Sequence, residues 1–210
     1  MLKDQISDVV IHRMPRYYRY LEDLKNEGVI LITSKELSEK MNVTSSQIRQ
    51  DLNHFNGYGQ QGIGYNVAYL HSEIGKLLGV DKINHLVWIG SNLIGDAFMG
   101  GGDGADAYQI DAVFVIEERD VGREFQDMKA EPLAKLEAYM QDHPVDIAVL
   151  TVPGDQAQEI TDQLVEFGVK AIWNFSSADL TVPENVSVEN VHLLESIESL
   201  SCLSSIKKED

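Results

Sequence analysis

Four short apolar runs in the latter part of the chain limit its fold more than any other feature. They read HLVWI at 85–89, IDAVFVI at 110–116, DIAVLTV at 146–152 and VKAIWN at 169–174. Short and rich in β-branched residues, they suit strands buried on both faces, as parallel strands are. Helical patterns around 132–141 and 156–167 separate some of them, and strands alternating with helices predict a doubly wound α/β sheet. A connecting helix is expected over 67–78, and GVDKIN at 79–84 is the best domain boundary. The chain therefore divides into domains at 1–80 and 81–191 and a C-terminal helix with its tail at 192–210. In that last segment Leu193, Leu194, Ile197, Leu200 and Leu203 recur at helical spacing. Such an amphipathic helix needs a partner surface, in its own domain or on a second subunit.

The first domain carries a different pattern. A helix is expected over roughly 4–26, with Pro15 as its break and Gly28 as its stop. Residues 33–65 then read as a helix-turn-helix followed by a wing. Its first helix, Ser34 to Met41, has a serine cap, Glu36 in the first turn, and Leu37 and Met41 on one face. After a break at Asn42-Val43, Thr44 or Ser45 can cap a second helix that turns Ile48, Leu52 and Phe55 inward. Ser45, Ser46, Gln47, Arg49, Gln50 and Asn53 are left for its outer face. Hydrogen-bonding side chains without a carboxylate are what base edges and phosphates demand. An ordinary solvated helix would carry Glu and Lys there, and 45–50 has neither. Asp51 stands apart from this set and is expected to brace the domain. The following GYGQQGIG at 57–64 reads as a glycine-dense hairpin with Gln60 and Gln61 at its tip, where their amides, with Tyr58 beside them, can reach a minor groove or phosphates. Tyr58, Ile63 and Tyr65 distinguish it from a simple linker.

A net charge of −17 looks wrong for a nucleic-acid binder until it is divided along the chain. Residues 1–80 hold nine Lys and Arg against nine Asp and Glu, and residues 81–210 hold eight against 25. The neutral part can approach DNA if its cations are bunched, as they are at His12, Arg13, Arg16 and Arg19. The single cysteine, Cys202, excludes an intrachain disulfide, and Leu200 and Leu203 beside it predict a buried, inert thiol. No apolar run reaches membrane-spanning length and the N-terminus is unlike a signal peptide, so a cytoplasmic protein is expected.

In the second domain, the first strand ends in Gly90-Ser91-Asn92-Leu93-Ile94-Gly95. A glycine turn that opens a helix after such a strand is where a dinucleotide pyrophosphate sits on backbone N–H groups. Asn92 replaces the glycine that allows the closest approach. The acid that would bind the ribose should follow the second strand, and Glu117 and Glu118 are the candidates. They lie beyond Val115 and Ile116, which occupy the natural strand end. The six histidines, 12, 54, 71, 85, 143 and 192, form no metal-ligand spacing, and no nucleophile elbow or P-loop is present.

With these residues in place the chain resembles the Rex family of bacterial redox-sensing transcriptional repressors over nearly its whole length. The resemblance is dense at RMPRYYRYL (13–21), SKELS (34–38), QIRQDL (47–52) and GQQGIGYNV (59–67). It continues at LTVP (150–153), QAQE (156–159), NF (174–175) and VENV (188–191). It implies a winged-helix domain joined to a Rossmann domain, a homodimer made by exchanging the C-terminal helix, and no enzymatic activity. In that scheme NAD(H) is the cofactor, and NADH closes the dimer and releases operator DNA. The resemblance adds Lys35 to the expected DNA contacts, and Thr151, Val152, Pro153 and Asn174 to the expected cofactor contacts.

The chain departs from the family pattern where sensing would occur. The usual Gly-x-Gly-Asn-Leu-Gly is altered in 90–95, and the family's aspartate after the second strand aligns with Val115. The next helix runs into the glycine cluster at 100–104, and the acidic residue after VENV is His192. The expectation is a repressor with intact DNA-reading runs and an NADH response that is weakened, altered or lost. Two other readings remain: a module for another nucleotide ligand such as adenylate or CoA, and a small nicotinamide-dependent oxidoreductase. The second is disfavoured because no general acid or base stands out.

Overall fold

A computed structural model describes residues 6–55, 64–91, 105–125 and 127–206. The chain folds as two compact units that divide at Ile83–Asn84.

The first unit opens with two helices that divide near the expected break at Pro15, α1 (Asp8–Ile11) and α2 (Met14–Asn26). The break falls just before Pro15, which sits in the first turn of α2, where a missing N–H removes no intrahelical hydrogen bond. Proline therefore divides the expected run by starting its second helix. There follow β1 (Leu31–Ile32), α3 (Ser34–Met41), α4 (Ser45–Leu52), β2 (Tyr65–Asn66) and α5 (Val67–Leu78). The cap of α3 is Thr33 and not Ser34. Thr33 Oγ1 accepts from the Glu36 N–H at 3.2 Å while Glu36 Oε2 accepts from the Thr33 N–H at 2.8 Å, a reciprocal capping box. Asn42 turns the chain with a left-handed φ of 53°, and Thr44 caps α4 by accepting from the Gln47 N–H at 3.1 Å. Tyr17, Leu21, Leu37, Ile48, Leu52, Val67 and Ile74 form the core. β1 pairs antiparallel with β2. Gly64 has φ +94°, and a Cβ there would lie 2.6 Å from the Ile32 carbonyl oxygen, so only glycine fits. The wing tip with Tyr58, Gln60, Gln61 and Ile63 lies outside the described residues.

The second unit contains β3 (Asn84–Gly90), β4 (Tyr108–Val115), β5 (Glu124–Phe125), β6 (Met128–Lys129), β7 (Glu131–Pro132), α6 (Leu136–Asp142) and β8 (Ile147–Thr151). It continues with α7 (Gly154–Glu166), β9 (Ala171–Asn174), β10 (Ser187–Asn190) and α8 (Leu193–Ile206). β5 and β6 form a small hairpin. The six other strands make one sheet in the order β10-β9-β8-β3-β4-β7, with every pair parallel. Counted along the chain within the sheet, that is the doubly wound order 3-2-1-4-5-6 of a Rossmann fold. Alternate strand residues feed two apolar layers. Val87, Ile89, Phe114 and Leu150 pack with Leu136 of α6 and Ile160 and Leu164 of α7 on one side. Leu86, Trp88, Val113, Val115 and Val149 pack with Phe125 on the other.

No side chain of α8 is buried, and Leu193, Leu194, Ile197, Leu200, Leu203 and Ile206 are all exposed. Cys202 is exposed with them, against the expectation of a buried thiol. The neighbouring Leu200 and Leu203, which suggested burial, are themselves exposed. No helix among the described residues is long and apolar enough to cross a membrane.

Candidate nucleic-acid interface and nucleotide site

Within the first unit, α4 is fixed by one buried carboxylate. Asp51 is fully buried and accepts from Arg13 Nε at 2.8 Å, Arg13 Nη2 at 2.6 Å, Tyr17 OH at 2.9 Å and Gln47 Nε2 at 2.8 Å. Burial alone would raise the Asp51 pKa, but the bonds from Arg13, Gln47 and Tyr17 outweigh it and hold the carboxyl below its ordinary range. The same pair raises the Arg13 pKa, and burial with the bond to Asp51 raises that of Tyr17. Asp51 thus braces α4 against α2, as its isolation from the polar set suggested.

This brace occupies part of the expected DNA face. Arg13 commits Nε and one Nη to Asp51, and Gln47 commits its amide N–H to the same carboxylate. Ser45 Oγ lies 3.0 Å from Ser38 Oγ, whose own hydrogen goes to the Lys35 carbonyl, so Ser45 donates inward. These three residues orient the helix, and the reason is physical: a buried carboxylate and a buried hydroxyl must be satisfied from within. The face that α4 presents outward is Ser46, Arg49, Gln50 and Asn53, with Lys35 exposed on α3. Arg49 Nη1 reaches across to donate to Ser34 Oγ at 3.2 Å, which draws the guanidinium over the start of α3. Arg16 and Arg19 are exposed on α2, each with its guanidinium near 5.8 and 5.7 Å from the Tyr20 ring.

The second unit places its cleft at the carboxyl ends of β3 and β8, the point where strand order reverses. Gly90, with φ +107°, has no room for a Cβ, which would stand 2.4 Å from the Thr151 carbonyl oxygen. The Ser91 N–H donates to that oxygen at 3.2 Å. Trp88 Nε1 donates to Thr151 Oγ1 at 2.9 Å, and Thr151 Oγ1 donates to the Ser91 carbonyl at 2.6 Å. The turn after β3 is thereby tied to the end of β8. The cleft above it measures about 740 Å³ and is lined by Gly90, Ser91, Glu117, Thr151, Val152 and Pro153 among the expected residues. That volume suits a nucleotide-sized ligand.

Asn174, expected among the cofactor contacts, is held within its own loop. It is fully buried at the end of β9, its Nδ2 donates to the Ala178 carbonyl and Asn190 Oδ1, and its Oδ1 accepts from the Ser176 N–H and hydroxyl. Its amide is saturated within the chain, so it locks the loop after β9. Asn92, Leu93, Ile94 and Gly95 lie outside the described residues. Sequence reasoning missed Arg119, Arg123 and Gln156, which also line the cleft. Cationic side chains within eight residues of the second strand's end were the available signal.

A helix-turn-helix unit followed by a Rossmann unit with its cleft at the switch point defines a ligand-responsive transcriptional regulator. Residues 5–53 match a putative DNA-binding protein N-terminus, and residues 81–178 match a CoA binding domain. The redox-sensing transcriptional repressor Rex of Thermoanaerobacter pseudethanolicus is 44% identical over 95% of this chain and 89% of its own length. That of Clostridioides difficile is 44% identical over 94% of this chain and 95% of its own. Among solved structures, RSP in complex with β-NAD+ and operator DNA is 42% identical, with a TM-score of 0.88 over 97% of this chain and 94% of its own. RSP in complex with β-NADH is 40% identical, with a TM-score of 0.84 over 97% and 96%. The chain belongs to the Rex family of redox-sensing transcriptional repressors. The family's function is repression, not catalysis.

Proposed function

We propose that this repressor reads operator DNA as a homodimer through α3 and α4, and binds NAD(H) in the cleft between β3 and β8 with a weakened NADH response. It works in the cytoplasm. The observation that carries the reading is the exposed, carboxylate-free face Ser46, Arg49, Gln50 and Asn53, held in place by the Asp51 brace. Lys35 and Arg16 flank it as phosphate contacts. Arg49→Ala should cost roughly 1–3 kcal/mol of specific binding to the RSP operator duplex, as loss of one good base contact does. Unchanged affinity at fixed salt would remove α4 from the interface.

The weakened response follows from the end of β4. Val115 lines the cleft and is 7% exposed, and its side chain cannot hydrogen-bond a ribose hydroxyl. A hydrogen bond to a charged group contributes about 1.5–3 kcal/mol, so its loss weakens binding about tenfold or more. Val115→Asp together with Asn92→Gly should tighten NADH by at least about that factor. Calorimetry giving submicromolar NADH affinity for the unaltered protein would overturn the diagnosis. Exposed Glu117 lines the same cleft and is the carboxylate that could compensate.

A further inference from the structure

The hydroxyl of Ser34, expected to cap α3, is released from that task because Thr33 and Glu36 perform it. It accepts instead from Arg49 Nη1 at 3.2 Å, 15 residues along on α4. Burial raises the Tyr65 pKa and the Arg49 charge opposes that rise, so the guanidinium also stands near β2 at the root of the wing. Among the described residues no carboxylate pairs with Arg49, in contrast to Arg13, whose charge is met by Asp51. A neutral hydroxyl can hold a guanidinium in place and leave its charge for DNA. The hydroxyl stands on a firm base. The capping box fixes the start of α3, Ser38 Oγ lies 3.0 Å from Ser45 Oγ, and Leu37, Met41, Ile48 and Leu52 share one core. Arginine has many rotamers, and immobilising such a side chain in a complex costs affinity that a preset conformation avoids.

We propose that Ser34 is a positioning residue that presets Arg49 for its contact with operator DNA, so that α3 and α4 read DNA as one device. The inference rests on the reading of α4 as the DNA-contacting helix. Binding of the full-length protein to the RSP operator duplex at fixed salt tests it through a double-mutant cycle. Ser34→Ala should weaken binding about two- to tenfold, the cost of ordering one long side chain. In an Arg49→Ala background the same change should have almost no effect. Ser34→Thr keeps the hydroxyl and should restore binding to within about twofold of the unaltered protein. Across duplexes each altered at one base pair, Ser34→Ala and Arg49→Ala should change the response at the same positions. Amide exchange in α3 should be unaltered by Ser34→Ala, since the cap at Thr33 is kept. Equal losses from Ser34→Ala with and without Arg49 would make Ser34 an independent contact and overturn the proposal. Unchanged or tighter binding by Ser34→Ala, while Arg49→Ala weakens it, would overturn the proposal and leave α4 on DNA. No effect of Arg49→Ala would overturn both readings.

Discussion

Replacing Asp51 with alanine is expected to destabilise the DNA-reading unit by about 3–5 kcal/mol, as removing one partner of a buried charge pair does. Asp51 is fully buried and so is Tyr17, whose hydroxyl would lose its partner. The Arg13 side chain is 28% exposed, so water compensates the guanidinium in part and the lower end of the range is favoured. Against a total of 5–15 kcal/mol for a typical domain, the loss is large. Both tryptophans lie in the other unit, so amide hydrogen exchange in α2 and α4 is the suitable readout. Exchange there should accelerate while that of β3 and β8 holds. A loss below about 1 kcal/mol would mean that the brace does not anchor α4. Asp51→Asn keeps the shape and part of the hydrogen bonding, and should lie between the two.

The same carboxylate sets an acid limit. Its pKa is lowered in the fold, so its stabilisation is complete above the unfolded value of about 4 and fades as pH falls through the lower folded value. Loosening of α4 should therefore begin as the pH falls below about 4, and the Asp51→Asn variant should lack that dependence.

The legible parts of this chain were those where one local pattern decides the outcome. The buried strands β3, β4, β8 and β9 stood out because parallel strands covered on both faces are nearly continuous apolar runs. β7 and β10 were not visible. β7 is two residues at a sheet edge and includes Pro132, and β10 reads SVEN, with most of its residues exposed. Helix boundaries were legible where caps are strong, as at Asn66 and Gly79 around α5. At the candidate sites, residue type does not tell which side chains face inward. Arg13, Ser45 and Gln47 fit a DNA face by chemistry, yet each is bound to a group whose burial appears only in three dimensions. Asn174 is the same case in the second unit. Arg119 and Arg123 went unread because they sit beyond a strand end whose expected signal was acidic.

Deleting Leu193–Ile206 is expected to convert the protein to a monomer or to insoluble material, the larger of the two effects. α8 is 14 residues long with no buried side chain, and an isolated helix of that length is marginal in water. Six large apolar residues along it, from Leu193 to Ile206, are 51–67% exposed. Burying such a side chain fully contributes roughly 1.5–3 kcal/mol, so covering this face yields enough to hold two subunits even after the entropy lost on association. A second copy is the occupant we favour, because a two-fold dimer applies the face twice and matches two half-sites on DNA. The double change Ile197→Asp with Leu200→Asp separates assembly from folding, since neither side chain supports this chain's own core. It should give a monomer in sedimentation with β3 and β8 still protected from exchange, and affinity for a two-half-site duplex should fall steeply while that for a single half-site holds. A well-folded dimer after either change would show that α8 is not the subunit contact.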